Sequence, residues 1–197
     1  MKKIIETKFS DFISEKFNSE KYTSFSKLTK KDLYDIAKAD PLGELEFSGV
    51  WDEVGEGNYK QAYNSLAESF ESFLDEPFPQ GFKNIPKTVP IYRFVTLENE
   101  SKLNREHLGN SWFADLKLDS GFFDKLDYLT SEHRGKPTGH NLYLISATIP
   151  ESNINIPYTL WLRDVTWAEN EIHIKNDSDK FVKIISIEKG MGKTITK

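Results

Sequence analysis

Apolar residues along this chain change their spacing once, and the change divides it in two. In the first part they recur every three or four positions, as one buried face of a helix requires. Phe9, Phe12, Ile13 and Phe17 form one such set. A second begins behind Thr29, where Asp32 stands three residues on in the manner of a capping box, and continues through Leu33, Ile36 and Ala37 until Asp40-Pro41-Leu42-Gly43 ends it. The strongest helical stripe lies in residues 58–75, where Tyr59, Ala62, Tyr63, Leu66, Ala67, Phe70, Phe73 and Leu74 read as core. Over residues 76–90 the prolines 77, 79, 86 and 90, with Gly81, mark a connector that is neither helix nor central strand.

Beyond the connector the period is two. Ile91, Arg93 and Val95 share one face of a predicted strand and Tyr92 and Phe94 the other, which makes Arg93 a charged residue at an inward position. Residues 97–106 read as a short helix ending near Gly109, residues 110–115 as a short strand, and Ser120 as the cap of a helix through Phe122, Phe123, Leu126 and Leu129. Residues 130–140 read as an exposed loop, either simply solvated, the commoner case, or folded over a site where Arg134 and Lys136 would suit an anion. The run LYLISATI, residues 142–149, is the best strand in the chain, uninterrupted enough to be central and stopped by Pro150. Residues 153–167, with Pro157, Tyr158, Trp161 and Trp167, read as irregular. Then Ile172 and Ile174 alternate with Glu171 and His173, so a strand begins that turns its isoleucines one way and Glu171 the other. A last strand over residues 181–188 would pair with it as a hairpin across Asn176-Asp177-Ser178-Asp179. Helices followed by strands predict an α+β fold, with a helical region 1–88 packed on a strand-rich core 89–197 as one unit.

Composition narrows the chemistry. A chain of 197 residues with 14 Phe, 8 Tyr and 4 Trp has the apolar bulk for one full domain. The mild net charge of −5, without a long Lys/Arg run, argues against a protein whose main task is coating phosphate backbones and leaves local nucleic-acid contact open. Zero cysteines exclude disulfides, thiolate nucleophiles, zinc fingers and iron–sulfur ligation. The four histidines, His107, His133, His140 and His173, lack metal-ligand spacing, so no metal is expected. Lys2 and Lys3 precede only Ile4-Ile5 before Glu6 breaks the apolar run, and no stretch approaches the roughly 18 apolar residues of a membrane span. A cytoplasmic protein without a membrane partner is therefore expected. Gly192-Lys193-Thr194 resembles the end of a phosphate-binding loop, but Ile187 stands where its first glycine belongs.

Two features carry candidate chemistry. Glu169 and Glu171 are two apart, beside Trp161 and Trp167, where the irregular stretch becomes a strand; by spacing alone they read first as solvent-facing charges on an edge strand, and otherwise as the two carboxylates of a site. Arg93, if inward, needs an anionic partner, either an internal carboxylate or a bound phosphate, because an unpaired buried charge costs several kcal/mol.

An Arg in the first strand (Ile91-Tyr92-Arg93), a Ser in a later short strand (Asn110-Ser111-Trp112) and Glu169-x-Glu171 at the head of a late strand together resemble the ADP-ribosyltransferases of the Arg-Ser-Glu class, which include arginine-specific bacterial toxins and transferases carried by bacteriophages. The order and spacing fit over residues 89–188. The resemblance implies a split β-sandwich, mixed or antiparallel, and NAD as a substrate, with no metal. It implies that Arg93 holds the NAD phosphates, that Ser111 orients Glu171 and helps form the nicotinamide ribose site, and that Glu171 binds the ribose 2′-hydroxyl and stabilises the charge that develops as nicotinamide departs. Glu169 would position or deprotonate the acceptor, a protein arginine for a Glu at that place, with a nucleic-acid acceptor as the other option. Tyr92, Trp112 or Phe113 would line the NAD site, Trp112 or Phe113 stacking on nicotinamide. Tyr158, Trp161 and Trp167 would fall in the loop that recognises the target. The family often has Ser-Thr-Ser or Ser-x-Ser where this chain has Ser111-Trp112-Phe113. A degraded site would leave an NAD-binding or protein-interaction module, and water as acceptor would make an NAD glycohydrolase.

Overall fold

Thr29 and Asp32 start the first helix as their spacing predicts. The Asp32 main-chain N–H donates to Thr29 Oγ1 at 3.2 Å, and the Asp32 carboxylate accepts from the Thr29 main chain at 3.0 Å and its hydroxyl at 2.6 Å. These bonds to Thr29, together with Lys21 Nζ at 2.9 Å, hold the Asp32 carboxyl down at about 2. The helix so opened, α1 (Lys30–Ala39), buries Leu33, Ile36 and Ala37. Helix α2 (Tyr59–Asp75) is capped by the Asn58 side chain and buries Ala62, Leu66 and Phe70. Its stripe begins later than predicted, because Tyr59 at the first helical position is 55% exposed.

The computed structural model describes residues 19–39, 58–105, 108–116, 141–166 and 170–189. Its strands are β1 (Thr88–Leu97), β2 (Ser111–Phe113), β3 (Asn141–Pro150), β4 (Glu171–His173) and β5 (Lys183–Lys189), joined in one antiparallel sheet of order β4-β2-β1-β3-β5. A third helix, α3 (Ile156–Thr166), lies between β3 and β4 in the chain. The fold is α+β. Its main apolar core among the described residues joins both parts: Phe25, Ile36, Leu66 and Phe70 from the helical part meet Ile91, Trp112, Ile145 and Ile172 from the sheet and Leu160 and Trp161 from α3. Each large side chain buried here stabilises the fold by roughly 1.5–3 kcal/mol before entropy is counted. The helical and strand-rich parts therefore share one interior.

Four local expectations are corrected. Residues 156–166 are helix rather than irregular, because Asn155 caps them, its side chain accepting from the Tyr158 main chain at 3.2 Å, and Pro157 sits in the first turn, where a missing N–H costs nothing. The strands predicted to form a terminal hairpin lie at opposite ends of the sheet: β4 pairs with β2 and β5 with β3. The other edge of β4 is already taken, by Asn155 N–H donating to the His173 carbonyl at 2.8 Å and Lys175 N–H donating to the Asn153 carbonyl at 2.9 Å. Between them the chain turns through Asp177, at φ 57°, and the short helical turn Ser178–Phe181. Where a helix is expected over residues 97–106, the described residues 97–105 hold the short helical turn Glu100–Lys102, because β1 itself continues to Leu97. Finally, β1 starts at Thr88 and so includes Pro90. β2 ends at Phe113, opposite Tyr92, so Pro90 has no ladder partner to lose on that side.

The helix predicted around Phe9 and Phe17, the helix capped by Ser120, the 130–140 loop and Gly192-Lys193-Thr194 lie outside the described residues.

Candidate active site

Sheet order brings together residues that are far apart in the chain. β2 lies between β1 and β4, and the register sets Tyr92 opposite Phe113 and Phe113 opposite Glu171. Cross-strand partners point to the same face, so Tyr92, Phe113 and Glu171 form a row across three strands. Ser111 stands opposite His173 in the same pairing and on the same face. Ser111 and Glu171 are thus diagonal neighbours, a relation that separates residues by roughly 7–8 Å. Ser111 is exposed, whereas Phe113, Tyr92 and Glu171 are half-buried. Phe113 and Phe94 also pack on Leu142, a small apolar cluster on this second face of the sheet.

Arg93 belongs to the other face, with Ile91 and Val95. It pairs with the fully buried Ile145, and its guanidinium lies 5.9 Å from the centre of the Trp112 ring. The head group does not stay in the core. Nη1 donates to the Ser111 main-chain carbonyl at 2.7 Å, which carries it to the start of β2. There Gly109 makes room: its φ is +80°, and a Cβ on it would stand 2.8 Å from both terminal guanidinium nitrogens. The Gly109 carbonyl is in turn fixed by Trp112 Nε1 at 2.9 Å. Burial lowers the Arg93 pKa from its usual value, while the charges of Glu171 and Asp179 raise it. A guanidinium whose anionic neighbours act across space and whose hydrogen bond goes to a neutral carbonyl retains donors suited to a phosphate.

Trp112 faces the core, with 0% exposure, and cannot stack on a ligand from the Glu171 face. The alternation of a strand decides this: Ser111 and Phe113 point one way and Trp112 the other. Of the two aromatics proposed for that contact, Phe113 is the one on the site face. Trp161 is likewise corrected. It is fully buried in α3, edge-on to Phe70 with ring centroids 5.8 Å apart, its Nε1 donating to the Ile36 carbonyl at 3.3 Å. It holds the helices together and offers nothing to a macromolecular target. Tyr158 is half-buried in the same helix, its ring 4.3 Å from that of His173. Glu169 and Trp167 lie outside the described residues.

Sequence reasoning missed Arg163, which reaches the head of β4 from α3. It donates through Nε to the Glu171 carbonyl at 3.3 Å, and through Nη1 to Asn170 Oδ1 at 2.6 Å and the Gln80 carbonyl at 2.8 Å. Burial brings its pKa down to about 10, with Glu171 and Glu76 opposing the shift. Its neighbour Asp164 is also buried, accepts from Ser69 Oγ at 3.0 Å, and has its carboxyl pushed up by that burial. Two opposite charges inside the apolar run Leu160–Leu162 and onward were the available signal. His173 was missed too: burial pulls its imidazole down to about 4. Among the described residues, no group of His, Cys, Asp and Glu is arranged to hold a metal ion, and no helix is long and apolar enough to cross a membrane.

The fold and site define an α+β protein with an Arg, a Ser and a Glu on three adjacent antiparallel strands. Compared with protein-family models, curated proteins and solved structures, the chain matches none.

Proposed function

We propose that this chain is an NAD-dependent mono-ADP-ribosyltransferase that moves ADP-ribose to a macromolecular acceptor, most directly a protein arginine. The observation that carries the reading is the adjacency of β1, β2 and β4, with Arg93 bonded to the Ser111 carbonyl and within the field of Glu171. What supports the reading is that strand pairing, which the order of residues in the chain does not require, makes Ser111 a diagonal neighbour of Glu171 and lets Arg93 bond the Ser111 main chain.

In this reading Arg93 binds the NAD pyrophosphate through the guanidinium nitrogens lying against Gly109. Ser111 and Glu171 hold the nicotinamide ribose in the diagonal gap between them, with Phe113 beside the nicotinamide. The bond between nicotinamide nitrogen and ribose C1′ breaks, and its electron pair leaves with nicotinamide. The cationic ribose left behind is stabilised by the fixed Glu171 carboxylate. An acceptor guanidine nitrogen then bonds to C1′ and loses a proton, for which Glu169 is the proposed base. Glu169 also carries the arginine preference.

The test is incubation with NAD labelled in the adenylate half and a protein mixture, alongside Glu171→Gln. Label on protein arginines, located by mass spectrometry and lost at least 100-fold in the variant, is the expected result; losses of 100- to 1000-fold are usual when one transition-state electrostatic contact is removed. Free ADP-ribose as the main product would make water the acceptor. No NAD consumption, or equal labelling by parent and variant, would overturn the proposal.

A further inference from the structure

Arg163 is 6% exposed and sits where the main chain enters β4. Its bonds are unusual for a buried cation, because all three go to neutral acceptors and two of those belong to consecutive residues, Asn170 and Glu171. The third reaches the Gln80 carbonyl in the connector. The guanidinium also lies 4.9 Å from the centre of the Phe82 ring, and Phe82 stacks on Phe25 with ring centroids 3.9 Å apart and planes 6° apart. A planar fork can hold two adjacent groups at once, which an ammonium cannot. Burying such a charge without a contacting carboxylate is costly, so its retention calls for a reason beyond packing.

We propose that Arg163 is a positioning residue for Glu171: it clamps the Asn170 side chain and the Glu171 main chain against the connector, fixing the direction in which the Glu171 carboxylate projects. The inference rests on the transferase reading. It also gives the helical part of the chain a share in the chemistry, since the clamp is anchored on Gln80 and Phe82 and through Phe82 on Phe25. Ala114, the residue just after β2, donates its N–H to the Asn170 carbonyl at 2.7 Å and so holds the same residue from the other side. Asn170, the middle residue of the Glu-x-Glu pattern, is thereby held by both its side chain and its main chain.

The experiment compares the parent with Arg163→Lys, Arg163→Met and Asn170→Ala, reading NAD turnover, NAD affinity and amide hydrogen exchange. A displacement of about 1 Å at a reacting group can cost about 100-fold in rate. The expected result is a fall in kcat of about 10- to 100-fold for Arg163→Met, less for Asn170→Ala, with NAD affinity within about threefold of the parent. Amide exchange should rise at least about tenfold at Glu171–His173 while β1 and β3 stay protected. Should Arg163→Met not fold, Arg163→Lys and Asn170→Ala carry the same comparison. Unchanged kcat, a parallel loss of NAD affinity, or exchange rising equally in every strand would overturn the inference. A parent that does not consume NAD sinks the transferase reading instead, and the exchange comparison then judges the clamp alone.

Discussion

The Arg93 side chain and the Ser111 main chain are joined directly, Nη1 donating to the Ser111 carbonyl at 2.7 Å. The bond exists because Gly109, two residues earlier, leaves the guanidinium a place to lie. An arginine that begins on the core face of β1 is thus delivered to the start of β2, next to the strand that carries Glu171. Gly109, Arg93 and Ser111 behave as one unit.

Gly109→Ala tests that unit. The substitution places a methyl against both guanidinium nitrogens and forces a side chain into a φ of +80°. Strain of this kind costs about 1–3 kcal/mol, to be read from urea denaturation. NAD affinity should fall with it, as Arg93 is pushed from its seat. An alanine variant with parental affinity would mean that Arg93 does not contact NAD from this position.

Trp161 separates a core role from a recognition role. Trp161→Ala is expected to cost about 3–5 kcal/mol, as removal of a fully buried large aromatic does. Trp161→Phe keeps most of the packing and loses the bond to the Ile36 carbonyl, for a cost of about 1 kcal/mol from the bond. In folded Trp161→Phe the choice of acceptor proteins should be the parent's. A changed acceptor pattern would restore Trp161 to the target surface.

His173 makes stability depend on acidity. Its imidazole falls from 6.5 in the unfolded chain to about 4 in the fold, chiefly through burial. The unfolded state therefore binds more protons between those values, and stability rises with pH across that window. The penalty is complete below pH 4 and absent above 6.5. Denaturation at pH 7 and at about pH 4.5 should show a loss that His173→Phe reduces by roughly 2 kcal/mol. Asp164, with its carboxyl pushed up, acts in the opposite sense, so the comparison must be between parent and variant and not between pH values alone.

β5 forms one end of the sheet, and its pairing slips between Ser146 and Ala147, whose partners are Ser186 and Ile184. Ile185 is the extra residue of this bulge and is 69% exposed. Ile185→Thr should change stability by less than about 0.5 kcal/mol, and in light scattering at high concentration it should lower association through the exposed Ile185. A loss above 2 kcal/mol would show that Ile185 is packed rather than exposed.

What the sequence determined by itself was local. The stripe of Ala62, Leu66 and Phe70, the Thr29–Asp32 cap, the run of β3 and the inward pair Ile172 and Ile174 all follow from spacing within a few residues, which sets the face a side chain takes. Arg93 was legible as an inward charge for the same reason. Pairing between strands joins distant segments, so only the tertiary structure decided that β4 lies beside β2 and not beside β5. That choice set Glu171 across from Phe113 and diagonal to Ser111, and sent Trp112 to the core. Residues 156–166 were misread because Pro157 and aromatic residues imitate a loop, while the Asn155 cap and the burial of Ile156, Leu160 and Trp161 hold them as helix. Arg163 was invisible for a related reason. A cation inside an apolar helix has no meaning until the fold brings it the carbonyls of Glu171 and Gln80, and those come from β4 and from a connector far back in the chain.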